Sequence, residues 1–269
     1  MFRTTMSISP GGTRFAPLLF VGDWQRGLDT AIQLGYDGVE LSLRDPQESV
    51  VKDIAMTVKR RGFAVSAIST GQSYYNDGLS LVSSDRGVQA RLGDRLRAFV
   101  DLAAQWSAFV VIGGVRGTFE GNPATHADQR KCAVEAVQSI SEHGRACGVR
   151  LLVEPINRYE TKFINTVQEA LQFIADVGAD NVQVLADTFH MNIEEVSMAE
   201  SLRLAGARLG YVHLVDSNRR AAGQGHTNFR ELATVLRQIG YSGYIGAEIL
   251  PLPDDDTAAR MAIAYFRSL

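Results

Sequence analysis

The stretch LLVEP at residues 151–155 is a short apolar run ending in a carboxylate, and the pattern returns in VQVLAD at 182–187, YVHLV at 211–215 and YIGAEIL at 244–250. The polar residues in these runs, Glu154, Asp187, His213 and Glu248, stand 33, 26 and 35 positions apart. One strand–helix–strand unit takes about 30 residues, so the spacing assigns one such residue to each of four consecutive parallel strands. In a closed (β/α)8 barrel the C-terminal ends of the strands converge on one mouth, which would bring three carboxylates and an imidazole together.

Four further strand candidates precede these, at 3–9, 38–43, 64–70 and in the unbroken apolar run 109–112, while 150–154 opens the second half. Amphipathic stretches at 85–106, 166–177, 198–208, 228–239 and 255–266 read as helices. Eight alternating units argue for an α/β protein with a single (β/α)8 TIM barrel rather than an open sheet. No glycine-rich dinucleotide fingerprint follows the first strand, which weighs against the open alternative. At 269 residues the chain is near the roughly 250 typical of such a barrel, so one domain over 1–269 is expected. The long connection 71–84 carries Gly71, Asn76, Asp77 and Gly78, which permit turns, and Tyr74 and Tyr75, which can cover a ligand. It reads equally as a lid or as a packed loop.

Composition is that of an ordinary globular protein, with 45% hydrophobic and 21% charged residues. A net charge of -3 argues against nucleic-acid binding, which wants a basic face. The opening MFRTTMSISPGGTRF lacks the apolar core of a signal peptide, and no run approaches the roughly 18 apolar residues of a membrane span. A cytoplasmic protein without a membrane partner is expected, and a homo-oligomer is compatible with the sequence. Cys132 and Cys147 fall in one predicted helix, about 22 Å apart along its axis, so they cannot pair. Two inert thiols are the favoured reading, ahead of a redox or zinc role.

Buried carboxylates at strand ends need a compensating cation, and His213 is the natural fourth ligand. Such an oxygen and nitrogen set suits Mn²⁺ or Mg²⁺ before Zn²⁺, with Co²⁺ a further alternative. His190 follows Asp187 in the loop after the sixth strand and reads as a neighbour of the metal ligands or a substrate contact. Glu160 and Arg219, in the loops after the fifth and seventh strands, either reach the same mouth or are solvated loop charges. Gly223 and Gly225 either cradle an anion or form a tight turn. Arg116, in VIGGVRG after the fourth strand, either binds a substrate carboxylate bidentately or closes a loop. Glutamates from strands five and eight, beside a Lewis acid, suggest proton removal from a carbon next to a ketone and return to the opposite face, through an enediolate.

At VEPINRYETKFINT from Val153, LADTFHMNIEE from Leu185, SNRRAAGQGH from Ser217 and strand-end Glu248, the chain resembles the ketose 3-epimerases of the xylose-isomerase-like barrels, the family of D-tagatose and D-psicose 3-epimerases. The resemblance implies that Glu154, Asp187, His213 and Glu248 bind Mn²⁺ or a similar ion. It implies further that Glu154 and Glu248 are the acid/base pair and that Glu160, His190 and Arg219 hold substrate oxygens. STGQSYYNDGLSL, VIGGVRG and EILPLP are similar to the 5-keto-L-gluconate epimerases, which act on keto-hexonates such as D-tagaturonate. Ile249, Leu250 and Pro251 stand where neutral-sugar enzymes tend to carry a proline and an aromatic, and Ala222 where they tend to have a proline. The expected substrate is therefore a ketose or keto-sugar acid, the acid first. A neutral ketohexose 3-epimerase is the alternative, followed by a sugar-phosphate epimerase or an aldose–ketose isomerase.

Overall fold

Alternate residues of each strand face opposite ways, and in this chain both faces are covered. Leu152, Leu185, Tyr211 and Tyr244 pack with Ala67, Phe109 and Val111 in an inner cluster, whereas Leu151, Val153, Val184, Val212, Ile245 and Ala247 join the larger core outside it. That division requires a sheet rolled on itself with helices around it. The computed structural model describes residues 2–14 and 17–269, and among these eight parallel strands close in sequential order.

The elements run β1 (Arg3–Ile8), α1 (Trp24–Leu34), β2 (Gly38–Ser42), α2 (Ser49–Arg61), β3 (Ala64–Ser69), α3 (Gln72–Tyr75), α4 (Arg86–Trp106) and β4 (Phe109–Ile112). The second half continues with α5 (His126–Ala146), β5 (Leu151–Val153), α6 (Val167–Val177), β6 (Val182–Asp187), α7 (Thr188–Glu194), α8 (Met198–Ala205), β7 (Leu209–His213), α9 (Phe229–Gln238), β8 (Tyr244–Ala247) and α10 (Asp255–Ser268). Expected helix starts at Asp85, Thr166 and Asn228 are N-caps, whose side chains accept hydrogen bonds from the first turn.

Two strands differ from the sequence expectation by more than one residue at an end. β7 starts at Leu209 and ends at His213, two residues earlier than the run 211–215, because Leu209 already pairs with Val184 across a register shift. β8 ends at Ala247, since the Leu250 amide turns to the Arg219 carbonyl at 2.9 Å instead of extending the ladder. The connection 71–84 contains the short helix α3, and the segment after β6 is the helix α7 rather than an open loop. Among the described residues, no helix is long and apolar enough to cross a membrane.

Candidate active site

Strand parity carries the site. Glu154, Asp187, His213 and Glu248 have the same parity as the inward Leu152, Leu185, Tyr211 and Tyr244, so each continues an inner row to its C-terminal end. Asp187 is in register with His213 on the neighbouring strand. One donor atom from each of the four lies within 4.8 Å of the others, and all four residues are buried. Ligands around one divalent ion sit about 2.0–2.2 Å from it, so they can be no more than about twice that distance apart, and the group meets this within a small relaxation.

Two orphaned atoms show where an ion fits. Asp187 Oδ1 accepts from the Phe189 amide at 2.7 Å, capping α7, while its Oδ2 has no hydrogen-bond partner. His213 Nδ1 is also unpartnered, 3.6 Å from that Oδ2 and 3.9 Å from Glu154 Oε1. The other ring nitrogen, Nε2, is 2.9 Å from Glu40 Oε2, and the Ser69 hydroxyl donates to Glu40 in turn. A buried imidazole with one nitrogen donating to a carboxylate and the other facing acids is arranged as a metal ligand. This donor set, three carboxylates and a histidine, can hold a divalent cation.

Proton affinities follow from crowding. Burial, then the nearby Glu248 charge, raises the Glu154 carboxyl well above its usual range. Burial, with Asp187 and Glu40 adding to it against His213 and Arg219, raises Glu248 to about 7. His213 moves up despite burial, because Glu40 and Asp187 favour its cation. Asp187 stays below its usual value, where burial is outweighed by His190 and His213.

Polar residues form the rim. Arg219 Nη1 donates to Glu160 Oε1 at 3.1 Å, its Nη2 reaches Glu248 Oε2 at 3.5 Å, and its guanidinium lies 4.6 Å over the Phe189 ring. Its backbone has φ 61, a left-handed conformation held by hydrogen bonds to Asp216 and Leu250. For a non-glycine residue that conformation costs about 1–2 kcal/mol. His190, expected in a loop, is instead buried on α7. The Asn157 side chain donates to its Nδ1 at 2.8 Å and to Glu160 Oε1 at 2.9 Å. Burial lowers the His190 pKa to about 4, so the ring is neutral at pH 7, with Nε2 carrying the proton 4.0 Å from Asp187 Oδ2.

Tyr75 of α3 lines the cavity together with Ser42, Glu154, Glu160, His190 and Glu248. The glycines after β4 make room for it. A Cβ on Gly114 would stand 2.8 Å from the Tyr75 ring, and one on Gly113 would stand 2.3 Å from Glu154 Oε2.

The other residues singled out in the sequence are engaged with the protein itself. Arg116 is only 1% exposed, donating from Nε to the Gly113 carbonyl at 3.3 Å and from Nη1 to the Ile164 carbonyl at 2.7 Å, while its buried Nη2 has no hydrogen-bond partner. It ties the loop after β4 to the loop after β5, and burial lowers its pKa to about 10. Ile249 and Ala222 are buried as well. The anion held by the Gly223 loop is the protein's own Asp216, which accepts from the amides of Ser217 at 2.8 Å, Gly223 at 2.8 Å and Thr227 at 3.1 Å. Sequence reasoning missed Glu40, Asn157 and Asp216. A charged residue between Val39 and Leu41 in a fully buried strand was the available signal for Glu40.

Residues 28–269 match the model of the xylose isomerase-like TIM barrel family. The chain is 33% identical to an L-ribulose 3-epimerase of Methylomonas sp. (strain DH-1), over 94% of this chain and 89% of the relative. It is 30% identical to a D-psicose 3-epimerase of Agrobacterium fabrum, over 81% of this chain and 76% of that protein. The crystal structure of a D-allulose 3-epimerase from Methylomonas sp. superposes with a TM-score of 0.83 at 26% identity, covering 99% of this chain and 97% of that one. Barrel closure, the inward donor set and these similarities converge: the chain belongs to the xylose isomerase-like TIM barrel family, among its epimerases.

Proposed function

We propose that this protein is a divalent-metal-dependent ketose 3-epimerase acting on a neutral ketose of the L-ribulose or D-psicose type. The observation that carries the reading is the pairing of Glu154 on the β5 side with Glu248 on the β8 side, two buried carboxyls of raised proton affinity within one four-donor group. Glu154, Asp187, His213 and Glu248 would hold the ion, and Mn²⁺ suits three oxygen donors and one imidazole. When bound, such an ion polarises the substrate ketone and so acidifies the neighbouring C–H bond.

The protein's own groups do the rest. One glutamate takes the C3 proton on its carboxylate oxygen, and the other returns a proton to the opposite face. Because both epimers are substrates, each glutamate must serve as base in one direction and as acid in the other. Arg219 and Glu160, fixed to one another, and the neutral His190 Nε2–H supply hydrogen bonds for sugar hydroxyls. Tyr75, which lines the cavity, would restrict the entry of water.

A neutral sugar takes precedence over a keto-sugar acid, reversing the order favoured by sequence. Arg219 at the mouth already meets Glu160 and Glu248, and Arg116 is buried with two of its donors on backbone carbonyls. The acid, 5-keto-L-gluconate or D-tagaturonate, remains the second reading because Arg219 stands at the mouth. A phosphorylated sugar is disfavoured, since the loop amides that would cradle a phosphate are engaged by Asp216.

Incubation of the Mn²⁺-loaded enzyme with L-ribulose, D-psicose and D-tagaturonate in deuterated water tests the reading. Deuterium at C3 of both epimers of a neutral ketose is expected. Exchange at C1 instead would make the protein an aldose–ketose isomerase, and turnover of D-tagaturonate alone would restore the acid.

A further inference from the structure

A second group of metal-capable side chains lies on the far side of the barrel. Asp101 of α4, His143 in the last turn of α5 and Cys147, the residue capping α5, bring three different donor atoms together. His143 Nε2 is 2.7 Å from Asp101 Oδ1, and Cys147 Sγ is 3.9 Å from each of them. Both helices end by feeding into the start of a strand, β4 and β5, so the group sits at the face opposite the mouth.

We infer that Asp101, His143 and Cys147 form a separate surface site for a borderline or soft divalent ion, Zn²⁺ by chemistry, that ties α4 to α5. The alternative use of Cys, His and Asp, a relay that activates a thiol, requires the thiol and the carboxylate on different ring nitrogens. Here both face Nε2, so the three atoms surround one point. Zinc lies about 2.3 Å from sulfur and 2.0–2.2 Å from nitrogen or oxygen, distances compatible with this triangle once the Asp101–His143 contact opens. The His-x3-Cys spacing puts two donors on one helical face, and the carbonyl end of α5 favours positive charge.

Nearby cations do not compete. Arg145 is turned to Asp180 at 2.8 Å, and Arg97 reaches Asp94 and Ser139. The site is open enough to load, with His143 and Asp101 side chains 32% and 61% exposed, while Cys147 packs against the core and fixes the sulfur. Three protein donors leave a further position for water. The cysteine, unremarkable in sequence, gains this role because Asp101, 46 residues earlier, folds beside it.

Cobalt titration separates this site from the mouth. Thiolate ligation gives Co²⁺ an intense near-ultraviolet charge-transfer absorption, and the Glu154, Asp187, His213 and Glu248 group contains no sulfur. Metal-free protein given Co²⁺ should develop that absorption, saturating at about one thiolate-bound ion per chain, and Zn²⁺ should displace it. C147S should abolish the band and C132S should leave it. Losing a mere neighbour of a metal ligand costs about 10–100-fold in affinity, so D101N and H143Q should weaken Co²⁺ binding at this band at least tenfold. Absence of the band in the unmodified protein, its survival in C147S, its loss in C132S or full affinity in H143Q would each overturn the inference. None of these readouts depends on turnover, so the result stands apart from the epimerase reading.

Discussion

His213 is held from behind by Glu40: Nε2 lies 2.9 Å from Glu40 Oε2, on a strand 173 residues earlier, and this leaves Nδ1 facing Asp187 and Glu154. The carboxylate fixes both the tautomer and the tilt of the ring. Glu40 is itself completely buried and kept ionised, since His213 and Ser69 outweigh the burial that opposes its charge.

Glu40→Gln should therefore lower affinity for Mn²⁺ by about 10–100-fold. Turnover should recover at saturating Mn²⁺, because the four donors remain. Calorimetric titration of metal-free protein measures the first effect, and activity against Mn²⁺ concentration the second. Unchanged affinity would reduce Glu40 to a packing role.

Glu154→Gln and Glu248→Gln preserve shape and one oxygen donor but remove a transferable proton. Each should reduce turnover by about 10²–10⁴-fold, the usual contribution of a general acid or base. Metal content should fall less than rate. If one variant still exchanges the C3 proton with solvent without inverting the carbon, the intact glutamate serves the face that exchanges. Near-normal epimerisation by either variant would refute the two-carboxylate scheme.

Stability of the metal-free protein should depend on pH in a stated direction. Glu248 is raised from 4.5 to about 7, and Glu154 is raised as well. A carboxyl with a raised folded-state pKa stabilises the fold fully below its unfolded value, and that contribution is lost as pH rises through the folded value. Asp187 shifts the other way below about pH 4, and His190, lowered from 6.5 to about 4, opposes the trend between those values but is not an ion ligand, so it acts with or without Mn²⁺. A bound ion takes the place of the protons, so the gain in Tm on adding Mn²⁺ should widen between about pH 5 and pH 8. A constant or shrinking gain, by scanning calorimetry, would contradict the shifted carboxyls.

The four inward donors were legible because each sits inside or just past an apolar run and recurs at the βα spacing. Glu40 was not, because the strand candidate at 38–43 is recognised by Val39 and Leu41 alone, whereas all five residues of β2 are buried. A parallel barrel covers both faces, so alternation cannot tell an outward charge from one aimed at the centre. Asp216 was hidden for a different reason. Its glycine-rich loop had the composition of an anion cradle, and composition does not say whether the anion comes from solvent or from the chain. The two-residue offset of β7 arises from the Val184/Leu185 register shift, which no local pattern encodes.

Arg116 carries the most discriminating substitution, because its sequence context suggested a substrate carboxylate and its contacts are with backbone. The guanidinium bridges the Gly113 and Ile164 carbonyls, and Ile164 sits at φ 60, a left-handed conformation that a β-branched residue avoids. Hydrogen bonds from a charged donor contribute about 1.5–3 kcal/mol each, enough to offset the strain at Ile164. Arg116→Met, which keeps volume and removes the donors, should therefore lower Tm and loosen both loops that border Glu154. Gly113 lies against that carboxyl, so kcat/KM should fall, and by a similar factor for L-ribulose and for D-tagaturonate, since no substrate charge is involved. Parallel steady-state measurements on the two sugars decide the matter. A loss confined to D-tagaturonate, with Tm unchanged, would show that Arg116 meets the substrate carboxylate and would return the keto-sugar acid to first place.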